Sequence, residues 1–394
     1  LHKDPCARQE DSSSSLDNES GYVTRVETET SVEKQSSNLS TNSSWEEMNQ
    51  FYLYRRKRRP SLGGEDKFST LSDEIILMIL KWLPKKCLVR SMLVCKRWHQ
   101  IARDEALWAR LDLGNKVLAP GTLGHILPRG VQIMRLAQAE MPGPIINPTS
   151  EIMNDTYRCK LQYLDLSMAV IDPDSLALLL SKCRLLKKLS LEKCSLNNDC
   201  CKAISNNPDL TVLNLTMCDG IKPNGCKYLM ELKKLKELNM SWSSLGIKSV
   251  TEICLSLPST VTRLNLAGCR KTMTDIDVSY LLKSCPDLKE LDLSDCSLLT
   301  AESINYFTMF KKLEHLSLSR CYGIPHASSY MKLTHMPSLL YLDIFGIMTD
   351  VALKTFSANC NNTQINKYFY SSIARPTVGI RRTSIWELRV RDYN

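Results

Sequence analysis

The sequence lacks the features that assign many chains directly to a membrane, secreted or metal-binding class. It contains no apolar run of about 18 residues and no signal-peptide core, so we expect a protein that neither spans a membrane nor is secreted. Its 16 cysteines include no Cys-x-x-C pair and no Cys/His group with zinc-ligand spacing. Neither a metal nor another cofactor is therefore expected.

A strong charge excess is also missing. The chain has 51 Lys and Arg against 42 Asp and Glu, whereas nucleic-acid-binding surfaces concentrate basic residues among aromatic ones. We therefore expect no nucleic acid partner. The densest basic run consists of Arg55, Arg56, Lys57, Arg58 and Arg59. It predicts a nuclear import signal and a location in nucleus and cytoplasm, with a merely solvated charge run as the alternative.

The basic run belongs to a polar N-terminal segment. In residues 1–50, 19 residues are Ser, Thr or Asn and few are apolar. Such a composition buries too little apolar surface to offset the conformational entropy that is lost on ordering. Residues 1–67 are therefore predicted to be a disordered arm.

What the sequence does contain is a phrase of the form Leu-x-x-Leu-x-Leu, which recurs every 24 to 27 residues. Its eight clear copies begin at Leu161, Leu186, Leu210, Leu235, Val261, Leu288, Leu313 and Leu339. This period is typical of a leucine-rich repeat solenoid, in which one strand and one helix per repeat bury a shared core by stacking. Weaker phrases at 107–113 and 133–136 bring the predicted number of repeats to about ten. The predicted fold is an α/β solenoid over residues 113–364.

One position of this repeat is often cysteine. Five residues after the second leucine of their repeats stand Cys194, Cys218, Cys269, Cys296 and Cys321. A small thiol there is expected to fill the turn and to donate a weak hydrogen bond to the neighbouring backbone.

Residues 68–112 differ from the repeats and predict three short helices. Ser72 can cap the first helix, whose opening turn holds two acidic residues that suit a helix N-terminus. From Ile75 to Leu80 this helix is apolar almost all round, so it must be covered on more than one side. The helices either cap the open end of the solenoid or dock another protein, and the two roles are compatible.

This segment resembles an F-box, the helical module that docks onto the small adaptor subunit of cullin-RING ubiquitin ligases. The resemblance rests on Leu71-x-Asp73-Glu74-Ile75-Ile76, Val94-Cys95-Lys96-Arg97-Trp98 and Leu107-Trp108. Ser72 stands where the family usually has proline. An F-box followed by leucine-rich repeats resembles the F-box and leucine-rich-repeat class of substrate receptors. The resemblance implies that the adaptor, and cullin through it, is bound by Phe68, Leu71, Ile75, Ile76, Leu80 and Trp98.

Large residues at or just past the ends of successive strands are candidates for a second binding surface. They are Trp242, Arg270, Asp295, Arg320 and Tyr322. Aromatic and Arg side chains supply much of the binding energy at protein interfaces, and a solenoid offers a long, rigid surface for them. For each residue taken alone, an ordinary exposed side chain is the alternative reading.

The repeat phrase stops after Cys360, and residues 365–394 form a C-terminal tail. Pro376 and Gly379 favour an extended path, and residues 385–391 alternate between apolar and polar as a strand does. The tail is predicted to fold back on the solenoid, with a loosely attached terminus as the alternative.

Several runs narrow the resemblance to one branch of the receptor class. They are Trp242 and residues 268–271, 316–322 and 373–379. In that branch a small cyclin-kinase-binding accessory protein sits on the later repeats and the tail. The receptor recruits a phosphorylated cyclin-dependent kinase inhibitor for degradation, which promotes the G1/S transition. The resemblance implies that Arg375 joins the strand-end residues in binding the accessory protein and the substrate.

Two alternatives to a non-catalytic receptor stay open. A ligase that carries ubiquitin on a cysteine would need an exposed thiol beside a base, and the chain has only six His. A scaffold or inhibitor solenoid without a link to ubiquitin would be soluble without any adaptor. We expect the non-catalytic receptor.

Overall fold

The computed structural model of the chain describes residues 67–154, 156–325, 327–360, 362–377 and 383–391. The basic run at 55–59, and all of the predicted disordered arm except residue 67, lie outside these residues.

Three short helices come first: α1 (Asp73–Leu80), α2 (Lys85–Ser91) and α3 (Lys96–Ala102). Ile76, Leu80, Leu88 and Ile101 meet in a small core of their own. Trp108 closes this core, and its indole Nε1–H donates a hydrogen bond to the carbonyl oxygen of Ala102 at 2.8 Å. The three helices therefore form a separate hydrophobic unit at the start of the repeats.

Short parallel strands follow, and they pair in chain order into one sheet. In the described part of the chain the sheet has eleven strands: β1 (Arg110–Asp112), β2 (Ile133–Arg135), β3 (Tyr163–Asp165), β4 (Lys188–Ser190), β5 (Val212–Asn214), β6 (Glu237–Asn239), β7 (Arg263–Asn265), β8 (Glu290–Asp292), β9 (His315–Ser317), β10 (Tyr341–Asp343) and β11 (Gln364–Ile365). The predicted α/β leucine-rich repeat fold is confirmed. The count of about ten repeats misses β11, because this two-residue strand carries no leucine phrase. The first strand also falls inside the range 68–112 that was assigned to the F-box.

Helices between the strands complete the repeats. They are α4 (Thr122–Ile126), α5 (Pro173–Ser181), α6 (Asn198–Ser205), α7 (Pro223–Met230), α8 (Ile247–Ser256), α9 (Asp275–Ser284), α10 (Ala301–Phe307), α11 (Ala327–Thr334) and α12 (Asp350–Ala358). Side-chain caps start several of them: Asp172 accepts a hydrogen bond from the Ser175 N–H at 2.8 Å, ahead of α5.

The recurring leucines fill the core between sheet and helices. Leu161, Leu164 and Leu166 are all 0% exposed, because alternate strand side chains point to the same face. Burying each such side chain contributes roughly 1.5–3 kcal/mol, which offsets the entropy of ordering the array.

The repeat cysteines are buried in their turns, as their position predicts. Sγ–H of Cys218 donates to the Leu191 carbonyl at 3.0 Å, and that of Cys321 donates to Leu293 at 3.2 Å. Burial raises the pKa of Cys194 and of Cys321 to about 12. Since the thiolate is the nucleophile, these sulfurs are unsuited to carrying ubiquitin.

Just past each strand the backbone turns through the left-handed region. Buried Asn214, Asn239 and Asn265 fix this turn, because each Oδ1 accepts the N–H two residues later at 3.1, 3.0 and 2.9 Å. One edge of the sheet is formed by the turn residues and by the residues two positions after them. We call this edge the exit rim; its turn residues include Met168, Lys193, Met217, Trp242, Gly268, Asp295 and Arg320.

The C-terminal tail crosses the concave face of the sheet. Ile373 packs against Val212, and its carbonyl oxygen accepts a hydrogen bond from Asn239 Nδ2 at 2.9 Å. The alternating run beyond it forms two strands rather than one, β12 (Ser384–Ile385) and β13 (Leu388–Arg389), because the backbone turns between them. This hairpin packs on Ile133 of β2 through Ile385 and Val390.

Candidate functional site

Some apolar residues of helix α1 point into the F-box core, and others point to solvent. Ile76 and Leu80 are 1% and 0% exposed in the F-box core, whereas Ile75, Met78 and Ile79 are 45%, 62% and 41% exposed. Residues four apart share one face of a helix, so the buried pair and the exposed residues form separate stripes. The prediction that Ile76 and Leu80 bind the adaptor is therefore wrong, because the chain's own core covers both side chains.

Further apolar side chains are exposed in the turns after α1 and α2. Trp82, Leu93 and Val94 are 83%, 83% and 63% exposed. Sequence reasoning did not select them as contacts, although Val94 lies in the F-box phrase. Exposed apolar groups of this size mark interaction surfaces on soluble proteins. We call the docking face the set Ile75, Met78, Ile79, Trp82, Leu93 and Val94.

The other predicted adaptor residues lie at the entrance to α1. Phe68 is 44% exposed and packs edge to face on the half-buried Trp98, with ring centroids 5.4 Å apart. Leu71 is half-buried against the F-box core. Phe68 is therefore exposed beside the docking face, whereas Leu71 and Trp98 are partly covered by the chain itself.

Arg97 holds the start of α1, where Ser72 replaces the family's proline. The Ser72 side chain makes no capping hydrogen bond to the helix, so the predicted cap is wrong. Its hydrogen bond to Glu74 instead holds the pKa of that carboxyl below its ordinary value. The Arg97 guanidinium donates to Asp73 Oδ1 at 2.7 Å and to the carbonyl oxygen of Leu71. The entrance is thus fixed by Arg97 from helix α3.

On the exit rim, four predicted residues form one group, with the carboxylate of Asp295 at its centre. Asp295 accepts a hydrogen bond from Arg320 Nε at 2.9 Å and a second from the same guanidinium. A terminal nitrogen of Arg270 lies 3.5 Å from Asp295 Oδ1, and the Arg270 guanidinium lies over the Trp242 ring, 4.9 Å from its centroid. Asp295 was predicted to face outward, yet it is 5% exposed because the two guanidinium groups cover it. Its hydrogen bonds raise the pKa of Arg320.

The last two predicted rim contacts flank this group. Tyr322 is 66% exposed, two positions after Arg320. Arg375 belongs to the tail and is half-buried, and its Nε has no hydrogen-bond partner within the described part of the chain. Tyr322 is therefore exposed to a second molecule, whereas the unpartnered Nε of Arg375 is itself buried.

A cavity of about 750 Å³ lies between tail residues 368–375 and the sheet. Rim residues Trp242, Asp295 and Arg320 line one side of it, and Arg375 lines another. The sheet contributes Glu290, Asp292, His315, Tyr341 and Asp343. The cavity is therefore bounded by both the rim and the tail.

The floor of the cavity holds an ionisable pair, half-buried His315 and buried Asp343, that sequence reasoning missed. His315 Nε2 lies 2.6 Å from Oδ2 of Asp343, which is 1% exposed. The other oxygen of Asp343 accepts the Tyr368 N–H at 3.2 Å, which ties the tail to the floor. Burial raises the pKa of the neighbouring Asp292. The contacts join two strands and the tail, so no local sequence pattern predicts them.

Two aromatic residues stand out on the tail. Phe369 and Tyr370 are 77% and 83% exposed, and Phe369 stacks on Phe345 with centroids 4.6 Å apart. Three consecutive aromatic residues, Tyr368-Phe369-Tyr370, could have indicated this surface from the sequence, since only 7% of the chain is aromatic. Exposed aromatic rings beside Arg groups are the composition of a protein-binding surface.

The described residues contain no group of three or more His, Cys, Asp or Glu arranged to hold a metal ion. A separate search of the same residues finds no helix with the length and apolarity needed to cross a membrane.

Comparison with known proteins gives two family matches. The model described as "SKP2 LRR domain" matches residues 121–393, and the model described as "F-box-like" matches residues 69–114. The chain is similar to lysine-specific demethylase 2A of Xenopus tropicalis, with 26% identity over 291 residues that cover 72% of this chain and 21% of that protein. It is also similar to human F-box/LRR-repeat protein 12, with 24% identity over 300 residues that cover 70% of this chain and 88% of that protein.

The chain thus spans about a fifth of the length of the demethylase relative. Among solved structures, the leucine-rich repeat-containing protein LegL7 of Legionella pneumophila is similar at 16% identity, with a TM-score of 0.41 and coverage of 65% of this chain and 89% of that chain.

Proposed function

The chain belongs to the SKP2-type leucine-rich-repeat family and carries an F-box-like segment before its repeats, and on this premise we propose that it is the substrate-recognition subunit of an SCF-type cullin-RING ubiquitin ligase. The F-box end binds the small adaptor, which in turn binds cullin. The solenoid presents the cargo. In this role the chain is not an enzyme, because it contributes proximity while other subunits transfer ubiquitin.

The docking face is the observation that carries this proposal. Four of its members are more than 60% exposed on a segment that already has its own core: Met78, Trp82, Leu93 and Val94. Exposed apolar residues that do not fill this core are available to a second protein. A segment that served only to cap the solenoid would not need them.

The finer proposal concerns the cargo and follows the resemblance to S-phase kinase-associated protein 2. The cargo is a phosphorylated cyclin-dependent kinase inhibitor, whose degradation promotes the G1/S transition. A small cyclin-kinase-binding accessory protein binds at the later repeats and the tail and holds the phosphothreonine. The exposed Phe369 and Tyr370 of the tail support a protein contact at this place.

Arg270 is the rim residue best placed to bind an acidic side chain. Its side chain is 58% exposed and its ion pair with Asp295 is long, at 3.5 Å, whereas Arg320 is bound to Asp295 through two hydrogen bonds. A guanidinium pairs carboxylates through two parallel hydrogen bonds. Tyr322 and Arg375 complete the proposed contact surface for accessory protein and cargo.

A binding measurement tests the cargo proposal. A phosphothreonine peptide of a kinase inhibitor is titrated into the chain–adaptor complex with and without the accessory protein. We expect tight binding only with the accessory protein, and a loss of about tenfold or more for Arg270→Glu. Lys312→Glu, on an exposed ion pair away from the cavity, is the matched control. Equal affinity for Arg270→Glu and wild type would remove Arg270 from the site.

The location is proposed from the basic run at 55–59 alone. A fluorescent fusion of the chain is expected in nucleus and cytoplasm, and replacement of the five basic residues by Ala is expected to shift it to the cytoplasm. An unchanged distribution would leave the run as a solvated charge cluster.

A further inference from the structure

Two cysteine side chains of neighbouring repeats meet in the early part of the solenoid. Cys159 precedes β3 and Cys183 precedes β4, and the two residues form an isolated parallel bridge. Their sulfur atoms are 3.9 Å apart, and the Cys183 thiol donates a hydrogen bond to the Cys159 sulfur. Backbone and side chains therefore both place one thiol directly against the other.

A buried thiol at this position of a repeat does not need a second thiol. Cys285 stands three residues before the first leucine of its repeat, as Cys183 does. The equivalent positions of the two adjacent repeats hold Pro258 and Phe310, and the Cys285 thiol donates to the Pro258 carbonyl oxygen at 3.0 Å. The sulfur pair is thus a feature of Cys159 and Cys183 and not of the repeat.

The two thiols differ in how readily they lose a proton. The hydrogen bond from Cys183 lowers the pKa of Cys159 and, together with one from the Tyr157 hydroxyl, outweighs the effect of burial. The same contact raises the pKa of Cys183 well above its ordinary value, because that thiol keeps its proton to donate. Burial raises the pKa of Cys285 to about 12. Since the thiolate is the reactive form, Cys159 is the nucleophile of the pair and Cys183 is its proton-bearing partner.

The backbone geometry suits a covalent link between the two residues. Adjacent strands lie about 4.8 Å apart, and disulfides join residues whose Cα atoms are about 4.4–6.8 Å apart. The sulfur atoms have to close from 3.9 Å to about 2 Å, which is within the reach of side-chain rotation. Cys159 is 2% exposed and Cys183 is 0% exposed. A small oxidant such as a peroxide is therefore the reagent that fits this site.

We propose that Cys159 and Cys183 are an oxidation site at which hydrogen peroxide forms a disulfide between adjacent repeats. The Cys159 thiolate attacks one oxygen of the peroxide, the O–O bond breaks, and the departing hydroxide takes up a proton to become water. The Cys183 sulfur then attacks the resulting sulfenic sulfur, the S–O bond breaks, and that oxygen leaves as a second water with the Cys183 proton. The two sulfurs lose two electrons in all, and the peroxide gains them.

The disulfide joins residues that are 24 positions apart in the chain. Such a link restricts the unfolded chain more than the folded one, so it stabilises the fold. It also fixes β3, whose Tyr163 packs against the tail hairpin beside Ile385 and Val390. Oxidation at this site therefore reinforces the part of the solenoid on which the tail hairpin rests. The site is independent of the proposed receptor function.

Peptide mass spectrometry of the full chain tests the site. The reduced protein is treated with hydrogen peroxide in its native state, and the remaining thiols are blocked in urea. Digestion at acidic residues follows without reductant, since Lys and Arg flank both cysteines. We expect a linked peptide pair that contains Cys159 and Cys183, has lost two hydrogen atoms and separates on treatment with dithiothreitol. Cys159 should be oxidised at least about tenfold faster than Cys285, and the oxidised chain should have a higher urea midpoint.

Two single variants serve as test and control. Cys183→Ser removes the second thiol, so the link should disappear and dimedone should trap Cys159 as a sulfenic acid. Cys285→Ser removes a thiol at the same repeat position and should leave the yield of the link unchanged. The proposal is overturned if the native wild type forms no link once the exposed Cys95 is fully oxidised, or if the urea-unfolded chain gives an equal yield. This wild-type result decides the case even where a variant fails to fold.

Discussion

Asp295 and Arg320 form a two-pronged ion pair in which the carboxylate is buried and the guanidinium is half exposed. The side chains are 6% and 46% exposed, respectively. The carboxylate is largely covered by the two guanidinium groups, so it fixes the orientation of Arg320 and holds Arg270 at 3.5 Å. Asp295 positions the two arginines, and the arginines form the surface.

The first prediction concerns this positioning. Asp295→Asn removes the charge that holds both arginines, so we expect the cargo affinity to fall about tenfold and the free energy of unfolding to fall by about 1–2 kcal/mol. Peptide binding and urea denaturation measure the two effects. Asp287→Asn breaks an exposed ion pair with Lys312 and should change stability by less than about 0.5 kcal/mol. Unchanged cargo affinity would reduce Asp295 to a structural residue.

The second prediction concerns the entrance to the F-box. Arg97→Met keeps the length of the side chain but removes the hydrogen bonds to Asp73 and Leu71. We expect a stability loss of about 1–2 kcal/mol, because the start of α1 has no side-chain cap to replace them. Chemical denaturation measures it. Ser72→Pro in the same background should recover part of the loss, and no recovery would contradict this account of the entrance.

The sequence predicted the solenoid well because its signal is periodic. Leu161 and its counterparts repeat at a nearly constant distance, and the same period identified the buried thiols at Cys218 and Cys321. The burial of Asp295 was not predictable, since it depends on arginines from two other repeats.

In helix α1, the sequence did not show which apolar residues are buried and which are exposed. Its run of apolar residues indicated that several sides are covered, but only the packing against α2 and α3 separates Ile76 and Leu80 from Met78 and Ile79. The pair His315 and Asp343 likewise unites two strands 28 residues apart, and no local pattern encodes it.

The third prediction is a pH dependence at Asp292. Burial raises the pKa of this carboxyl above its ordinary value of 3.8. A raised pKa adds stability that is fully present below pH 3.8 and is lost as the pH rises through the folded value. Asp292→Asn keeps the acceptor for the Ser294 N–H but turns an amide NH2 group toward Asn265 Nδ2, which donates to Asp292 Oδ2 at 3.1 Å. The stability of the variant relative to wild type should therefore rise as the pH rises from 3.8 through the folded pKa. Urea midpoints across this pH range measure the trend.

The carboxyl of Asp209 is the control for the direction of this pH dependence, because its pKa is lowered and not raised. Its hydrogen bond from Lys234 lowers its pKa, so its small contribution is present above pH 3.8 and is lost as the pH falls through the folded value. The stability of Asp209→Asn relative to wild type should instead fall as the pH rises. The same trend in both variants would contradict the raised pKa of Asp292.

The fourth prediction is selective labelling of thiols. Cys95 is exposed at the start of α3, whereas Cys194 and Cys321 are buried and have pKa values of about 12. Iodoacetamide should alkylate Cys95 in the native chain long before it reaches the other two, because only the thiolate reacts. Peptide mass spectrometry measures the rates, and labelling in urea gives the unprotected reference. Fast native labelling of Cys194 would contradict the packing of the repeat turns.

The most direct test of the receptor account is the dissociation constant of the purified chain and the small adaptor, measured by calorimetry. Met78→Asp combined with Ile79→Asp changes only exposed residues of the docking face. We expect an affinity loss of at least about 100-fold with unchanged thermal unfolding. Leu80→Ala, in the core, should instead lower stability by about 2–5 kcal/mol. If the double variant binds the adaptor as tightly as the wild type, the chain does not use this face to join the ligase.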